Sequence, residues 1–248
     1  MQRFLRRRKW VIIILSLALL VLALLLILRT QITLAPGNNT LPGVTNTPPA
    51  HTYDKTAHSL VDPTSIWVIV NKQHPLTILA YAPNDLTTVG NGQYLRAEAA
   101  TELTQMIAAA KTDGFTLTPA SGYRSYATQV NVYGNEVRGF GQAIADSESA
   151  RPGYSEHQTG LAMDLGSGGC NIQDCFGDTP GGKWAIANSY RYGFILRYPA
   201  SLSDITGYRN ETWHFRYVGA SLAGEMHKQK IQTLEQFFDI PGGTTYKS

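Results

Sequence analysis

Three short segments put ionisable and hydroxyl side chains among glycines and aromatics: SGYRSYATQ at 121–129, SEHQTGLAMDLG at 155–166 and ETWHFRYVG at 211–219. His157, Asp164 and His214 are the members that could bind a metal. Two imidazoles and one carboxylate leave the fourth position of a tetrahedron open for water, which is the pattern of catalytic rather than structural zinc. The spacing alone is loose, since H-x6-D is far weaker than H-E-x-x-H and a lone histidine is more often a hydrogen-bonded residue on a half-buried strand. Glu211, three residues before His214, would reach the same point from a turn and act as a general base; its bland alternative is an exposed surface carboxylate. Arg124 offers a planar fork that suits a carboxylate, a developing oxyanion or, equally, a surface salt bridge.

These residues need elements to aim them. IWVIV at 66–70 and FTLTPA at 115–120 read as strands, as do Phe194–Tyr198 and Thr212–Val218. Leu95, Ala99, Leu103, Met106, Ile107 and Ala110 recur at three- and four-residue spacing before Gly114, which predicts an amphipathic helix. Ser125 opens a further helix through about Arg138, and Lys183–Tyr190 and Ala220–Lys230 complete the set. In TWHFRYV, alternation sends Trp213, Phe215 and Tyr217 to one face and His214 with Arg216 to the other. LAMDL running beside it would aim Asp164 and His214 at one point. Strands and helices without a βαβ rhythm predict an α+β domain with a small antiparallel sheet and flanking helices.

The 248 residues hold one core of roughly 150–200 residues plus attachments. Six of the 21 basic residues lie at or before Arg29, and no acid precedes Asp54. The remaining 15 face 18 acids, so the formal charge of +3 conceals an acidic body with no basic face for phosphate backbones, and nucleic acid is not an expected partner. Trp10–Leu28 contains no charge and, as a helix, matches a hydrocarbon core of roughly 30 Å. With the basic cluster before it, the positive-inside bias predicts a cytoplasmic tail (1–9), a transmembrane signal anchor (10–28) and everything downstream outside; a cleaved signal peptide is the alternative. Residues 29–64, rich in Pro, Thr and Asn, read as an extended linker, 65–240 as the folded domain and 241–248 as a frayed terminus. Cys170 and Cys175 suit a local disulfide, with free thiols as the alternative.

Together the three segments resemble the VanY-like zinc D-alanyl-D-alanine carboxypeptidases, whose pattern S-G-Y-R-S, S-x-H-x-x-G-x-A-x-D and E-x-W-H-x-R-Y stands here complete at 121–125, 155–164 and 211–217. Weaker likeness at VNKQHPL, YAPNDL and SARPGYSEHQTG extends it over most of 65–230. The resemblance implies a Hedgehog/DD-peptidase-like fold. It implies His157, Asp164 and His214 as Zn²⁺ ligands, Glu211 as catalytic base, and Arg124, Gln129 and Ser155 facing the substrate. The implied activity is removal of the terminal D-alanine from peptidoglycan stem peptides outside the membrane. L,D-carboxypeptidase, D,D-dipeptidase and endopeptidase activities are rivals within the class, and a non-catalytic wall-binding module is a rival outside it. The cysteine loop directly after the second segment departs from the pattern and bears on the pocket rim.

Overall fold

The structure, a computed structural model, describes residues 53–247. The expected tail and membrane anchor lie outside the described residues. An antiparallel hairpin, β1 (Leu86–Gly90) and β2 (Gln93–Arg96), leads into helix α1 (Ala97–Thr112). Helix α1 buries Ala99, Leu103, Met106 and Ala110, the face its spacing defines. The central sheet has the order β3 (Thr118–Ser121), β4 (Ala162–Ser167), β7 (Glu211–Tyr217), β6 (Phe194–Tyr198), and a short β5 (Cys170–Asn171) returns along the end of β4. Helices α2 (Tyr126–Phe140), α3 (Gln142–Glu148), α4 (Pro180–Asn188), α5 (Ser203–Thr206), α6 (Ala220–Gln229) and α7 (Leu234–Phe238) flank the sheet. This is the expected mixture of a small antiparallel sheet with flanking helices.

Of the sheet's central strands, β4 is buried throughout and β7 at every residue but Thr212. Trp213, Phe215 and Tyr217 of β7 join Leu103, Met106, Met163 and Leu165 in the main core. Apolar side chains on alternate positions of β7 therefore leave His214 and Arg216 on the opposite face, where polar groups must find partners or bear a large desolvation penalty.

Three expectations need correction. IWVIV forms no strand: Ile66 and Trp67 lie in a turn in which Val68 N–H donates to Ser65 O at 3.3 Å, Arg216 of β7 donates through Nη2 to the carbonyls of Ile66 and Val68, at 3.1 and 2.9 Å, and Ile69 N–H goes to Leu60. A guanidinium satisfies the carbonyls that a neighbouring strand would otherwise take. Second, the fold begins before residue 65. Tyr53 packs edge-on against Phe237 and beside Trp67, whose indole N–H donates to Val218 O at 2.9 Å, and Lys55 donates to Phe237 O. Third, the C-terminal stretch is pinned rather than frayed through Lys247. Gly243 N–H donates to Ile205 O and Lys247 N–H to Lys72 O, both at 2.9 Å. The Tyr246 ring lies under the Arg151 guanidinium at 4.1 Å.

Candidate active site

Register places the first pair of site residues. Asp164 of β4 and His214 of β7 are direct partners in the antiparallel ladder, so their side chains rise from the same face of neighbouring strands. His157 comes from a 3-10 turn, Glu156–Thr159, closed by Gly160 at φ +68°. A Cβ at Gly160 would meet side chains of Arg96, Leu86 and Pro83 at 3.1–3.2 Å in a backbone region that L-residues disfavour. The turn is bonded to the SGYRS segment twice: His157 Nδ1 lies 2.8 Å from Gly122 O, and Arg124 N–H donates to His157 O at 3.2 Å.

One nitrogen of each histidine faces a protein oxygen away from the centre, and the other is turned toward Asp164. Gly122 O can only accept, so His157 carries its proton on Nδ1 and turns Nε2 toward Asp164 Oδ2 at 3.3 Å. His214 Nε2 lies 3.3 Å from the Glu156 carboxylate, leaving Nδ1 to face Asp164 Oδ1 at 3.1 Å. One donor atom from each of His157, Asp164 and His214 lies within 4.8 Å of the others, all three residues buried. Among the described residues, buried Asp164 Oδ1 has no hydrogen-bond partner despite its nearness to His214. Carboxylate oxygens rarely stay orphaned in the interior. A divalent cation among these three atoms would satisfy it, and the donor set fits zinc.

Glu211 reaches the same centre without a turn. A regular strand sends residues i and i+3 to opposite faces. The β6–β7 register is irregular between Leu196 and Tyr198, opposite this stretch, and Glu211 Oε2 comes to 3.6 Å from His214 Nδ1. Burial pushes the Glu211 carboxyl up to about 7 against the opposing pull of His214. Burial also takes His157 down to about 4, helped by nearby Arg124. His214 goes the other way: burial opposes its charge, but the adjoining Asp164 and Glu156 carboxylates carry it up to about 9. Asp164 is held well below the usual carboxylate range, because the two histidines outweigh the cost of its burial.

These shifts give a signed prediction for metal uptake. At pH 7 metal-free His157 is neutral, whereas His214 carries a proton on the nitrogen that would face the ion. Zinc binding at pH 7 therefore releases about one proton from His214, and affinity falls about tenfold for each pH unit below about 9. Calorimetric titration in buffers of differing ionisation enthalpy measures this; zinc uptake with no net proton release would contradict it.

Arg124, Gln129 and Ser155 line the same pocket as the three candidate ligands and Glu211. Ser125 caps α2, its Oγ accepting from Thr128 N–H at 3.1 Å, and so fixes the junction from which Arg124 projects. Arg124 donates through Nη1 to Gln129 Oε1 at 3.0 Å, while its buried Nε has no hydrogen-bond partner among the described residues. Gln129 is engaged at both ends, since its Nε2 donates to Ala150 O at 2.7 Å. It braces Arg124. Cys170 and Cys175 are disulfide-bonded with Cα atoms 5.8 Å apart, and Ile172 inside that loop lines the pocket rim. Arg209 ties the loop down through Asp174 at 2.7 Å.

The sequence reading did not single out Glu156, Arg197, Arg216, Arg209 or Glu235. Glu156 sits beside His157 in the second motif and Arg216 is inside the third, so position relative to the motifs was the available signal.

Comparison with known proteins agrees with this geometry. Residues 92–220 match the family model described as VanY, D-alanyl-D-alanine carboxypeptidase. The putative carboxypeptidase YodJ of Bacillus subtilis is 42% identical over 192 residues, covering 73% of this chain and 70% of the relative. Among solved structures, the LdcB LD-carboxypeptidase aligns with a TM-score of 0.66 at 43% identity, over 71% of this chain and 87% of that one. A point mutant of the vancomycin resistance D,D-pentapeptidase VanY from a VanB-type resistance cassette, in complex with Zn(II), aligns with a TM-score of 0.61 at 33% identity, over 68% of this chain and 97% of that one. The motifs, the buried three-residue donor set and these matches together show that the chain belongs to the VanY family of D-alanyl-D-alanine carboxypeptidases and is a metallocarboxypeptidase.

Proposed function

We propose that the folded domain is a zinc-dependent D,D-carboxypeptidase that removes the terminal D-alanine from peptidoglycan stem peptides on the outer side of the membrane. The observation that carries this reading is the convergence of His157 Nε2, Asp164 and His214 Nδ1 in one buried pocket that also holds Glu211 and Arg124. Bound there, zinc supplies Lewis-acid polarisation and lets water act as a nucleophile near neutral pH. Glu211, lifted toward neutrality by burial, takes the proton of the attacking water and passes it to the departing amine. Arg124, whose buried Nε has no hydrogen-bond partner among the described residues, holds the substrate's free carboxylate, which restricts cleavage to the last residue. Gln129 keeps that guanidinium in place, and Ser155 lines the approach to it.

The charge-free run at 10–28 behind a basic tail supports a single-pass anchor with a cytoplasmic N-terminus, which puts the enzyme where stem peptides are found. A second reading, L,D-carboxypeptidase action on tetrapeptide stems, is favoured by the 43% identity to the LdcB LD-carboxypeptidase against 33% to the VanB-type VanY. Both reactions release D-alanine; they differ in the residue before the scissile bond. Defined muropeptides followed by mass spectrometry separate them. The D,D reading expects pentapeptide to become tetrapeptide and tetrapeptide to persist. Loss of alanine from tetrapeptide alone would replace it with the L,D reading.

A further inference from the structure

The face of β7 opposite the core carries a second polar assembly behind the metal ligands. Glu156 is completely buried and accepts from three donors: Arg197 Nε at 2.8 Å, Arg216 Nη1 at 2.8 Å, and His214 Nε2 at 3.3 Å. Arg197 is shared with Glu235 of α7, through bonds of 2.9 and 2.6 Å. Glu235 in turn accepts from Asn71 Nδ2 at 2.9 Å. Two guanidiniums and two carboxylates thus make a closed, charge-balanced cluster with no solvent access. Cores do not need such a cluster for stability, because replacing buried ion pairs by apolar residues of similar volume is often neutral or stabilising. Among the described residues, the cluster's hydrogen bond to a candidate metal ligand's side chain is the Glu156–His214 contact.

We infer that Glu156 is a positioning residue for the metal: clamped by Arg197 and Arg216, its carboxylate holds the His214 proton on Nε2 and so presents Nδ1, at a fixed ring angle, to the ion shared with Asp164 and His157. The geometry gives each clause. One oxygen, Oε1, receives both arginines, which fixes the carboxylate plane. The other, Oε2, is left for the imidazole. The two arginines come from adjacent strands, Arg197 on β6 and Arg216 on β7, and Ile195 and Arg216 are ladder partners, so the clamp is built from the sheet that also carries His214. His157 has its own equivalent in Gly122 O, a neutral backbone acceptor. The two imidazoles are therefore oriented by different devices, and the carboxylate raises the basicity of the one it holds.

This inference rests on the zinc reading above, and the experiment separates the two. Zinc ions alone are titrated into the metal-free full-length protein, with melting temperature measured alongside. Glu156→Gln is expected to raise the zinc dissociation constant about 10–100-fold. Glu235→Gln disturbs the same ionic cluster without touching His214; it is expected to lower the melting temperature while leaving zinc affinity within about twofold of wild type. If Glu156→Gln alone does not fold, Glu156→Gln with Arg216→Met removes one cation as well and keeps the Arg197–Glu235 pair, and the same weakening of about 10–100-fold is expected. Wild-type zinc affinity in the Glu156 variants, or an equal loss in Glu235→Gln, would overturn the inference. A wild-type protein that takes up no zinc would overturn the zinc reading instead.

Discussion

Glu211→Gln should keep a full complement of zinc and lose turnover by about a thousandfold, with little change in KM. General-base assistance contributes roughly 10²–10⁴ to a rate, and the amide has no lone pair basic enough to take the proton. A thousandfold loss is about 4 kcal/mol of transition-state stabilisation. The substitution should fold well. Burial already lifts the carboxyl to about 7, so the interior disfavours its charged form, and a neutral isostere relieves that cost. Glu211 is also outside the trio whose atoms converge within 4.8 Å, so metal retention is expected. Turnover at the wild-type level would remove Glu211 from the mechanism.

Arg124→Met carries the second large effect, and its signature is selectivity. With the guanidinium gone, kcat/KM for a stem peptide with a free C-terminus should fall about 10²–10³-fold, the usual range for losing one partner of a desolvated charge pair. The same peptide with a C-terminal carboxamide should be cut poorly by both enzymes. The ratio of free to amidated substrate, large for wild type, should therefore collapse in the variant. Gln129 Oε1 loses its donor in this variant, so a small drop in melting temperature is expected alongside. A variant that keeps the wild-type ratio would show that Arg124 does not read the terminal carboxylate.

How much of this was legible in the sequence differs by element. Strand β6 and most of β7 were readable because alternation of aromatic and polar residues leaves no other way to bury Trp213, Phe215 and Tyr217 together. Helix α1 followed from its spacing of small and apolar residues. The trio His157, Asp164 and His214 could be picked out by type, but only the β4–β7 register brings Asp164 and His214 side by side. IWVIV misled because β-propensity says nothing of a distant guanidinium: Arg216 claims its carbonyls across 148–150 positions of sequence. The ionic cluster was hidden for the same reason. Glu156 meets Arg197 and Arg216 at separations of 41 and 60 residues, and no local pattern announces such pairs. Residues 53–64 looked like linker by composition, yet Tyr53 has a slot between Trp67 and Phe237 that composition does not reveal.

The most direct measurement is a crystal structure of the zinc-loaded protein with anomalous data collected across the zinc edge. The account predicts one zinc per chain, bound by His157 Nε2, His214 Nδ1 and an Asp164 oxygen at about 2.0–2.2 Å, with a further position open toward Glu211. An anomalous peak elsewhere, or one that omits any of these three side chains, would contradict it.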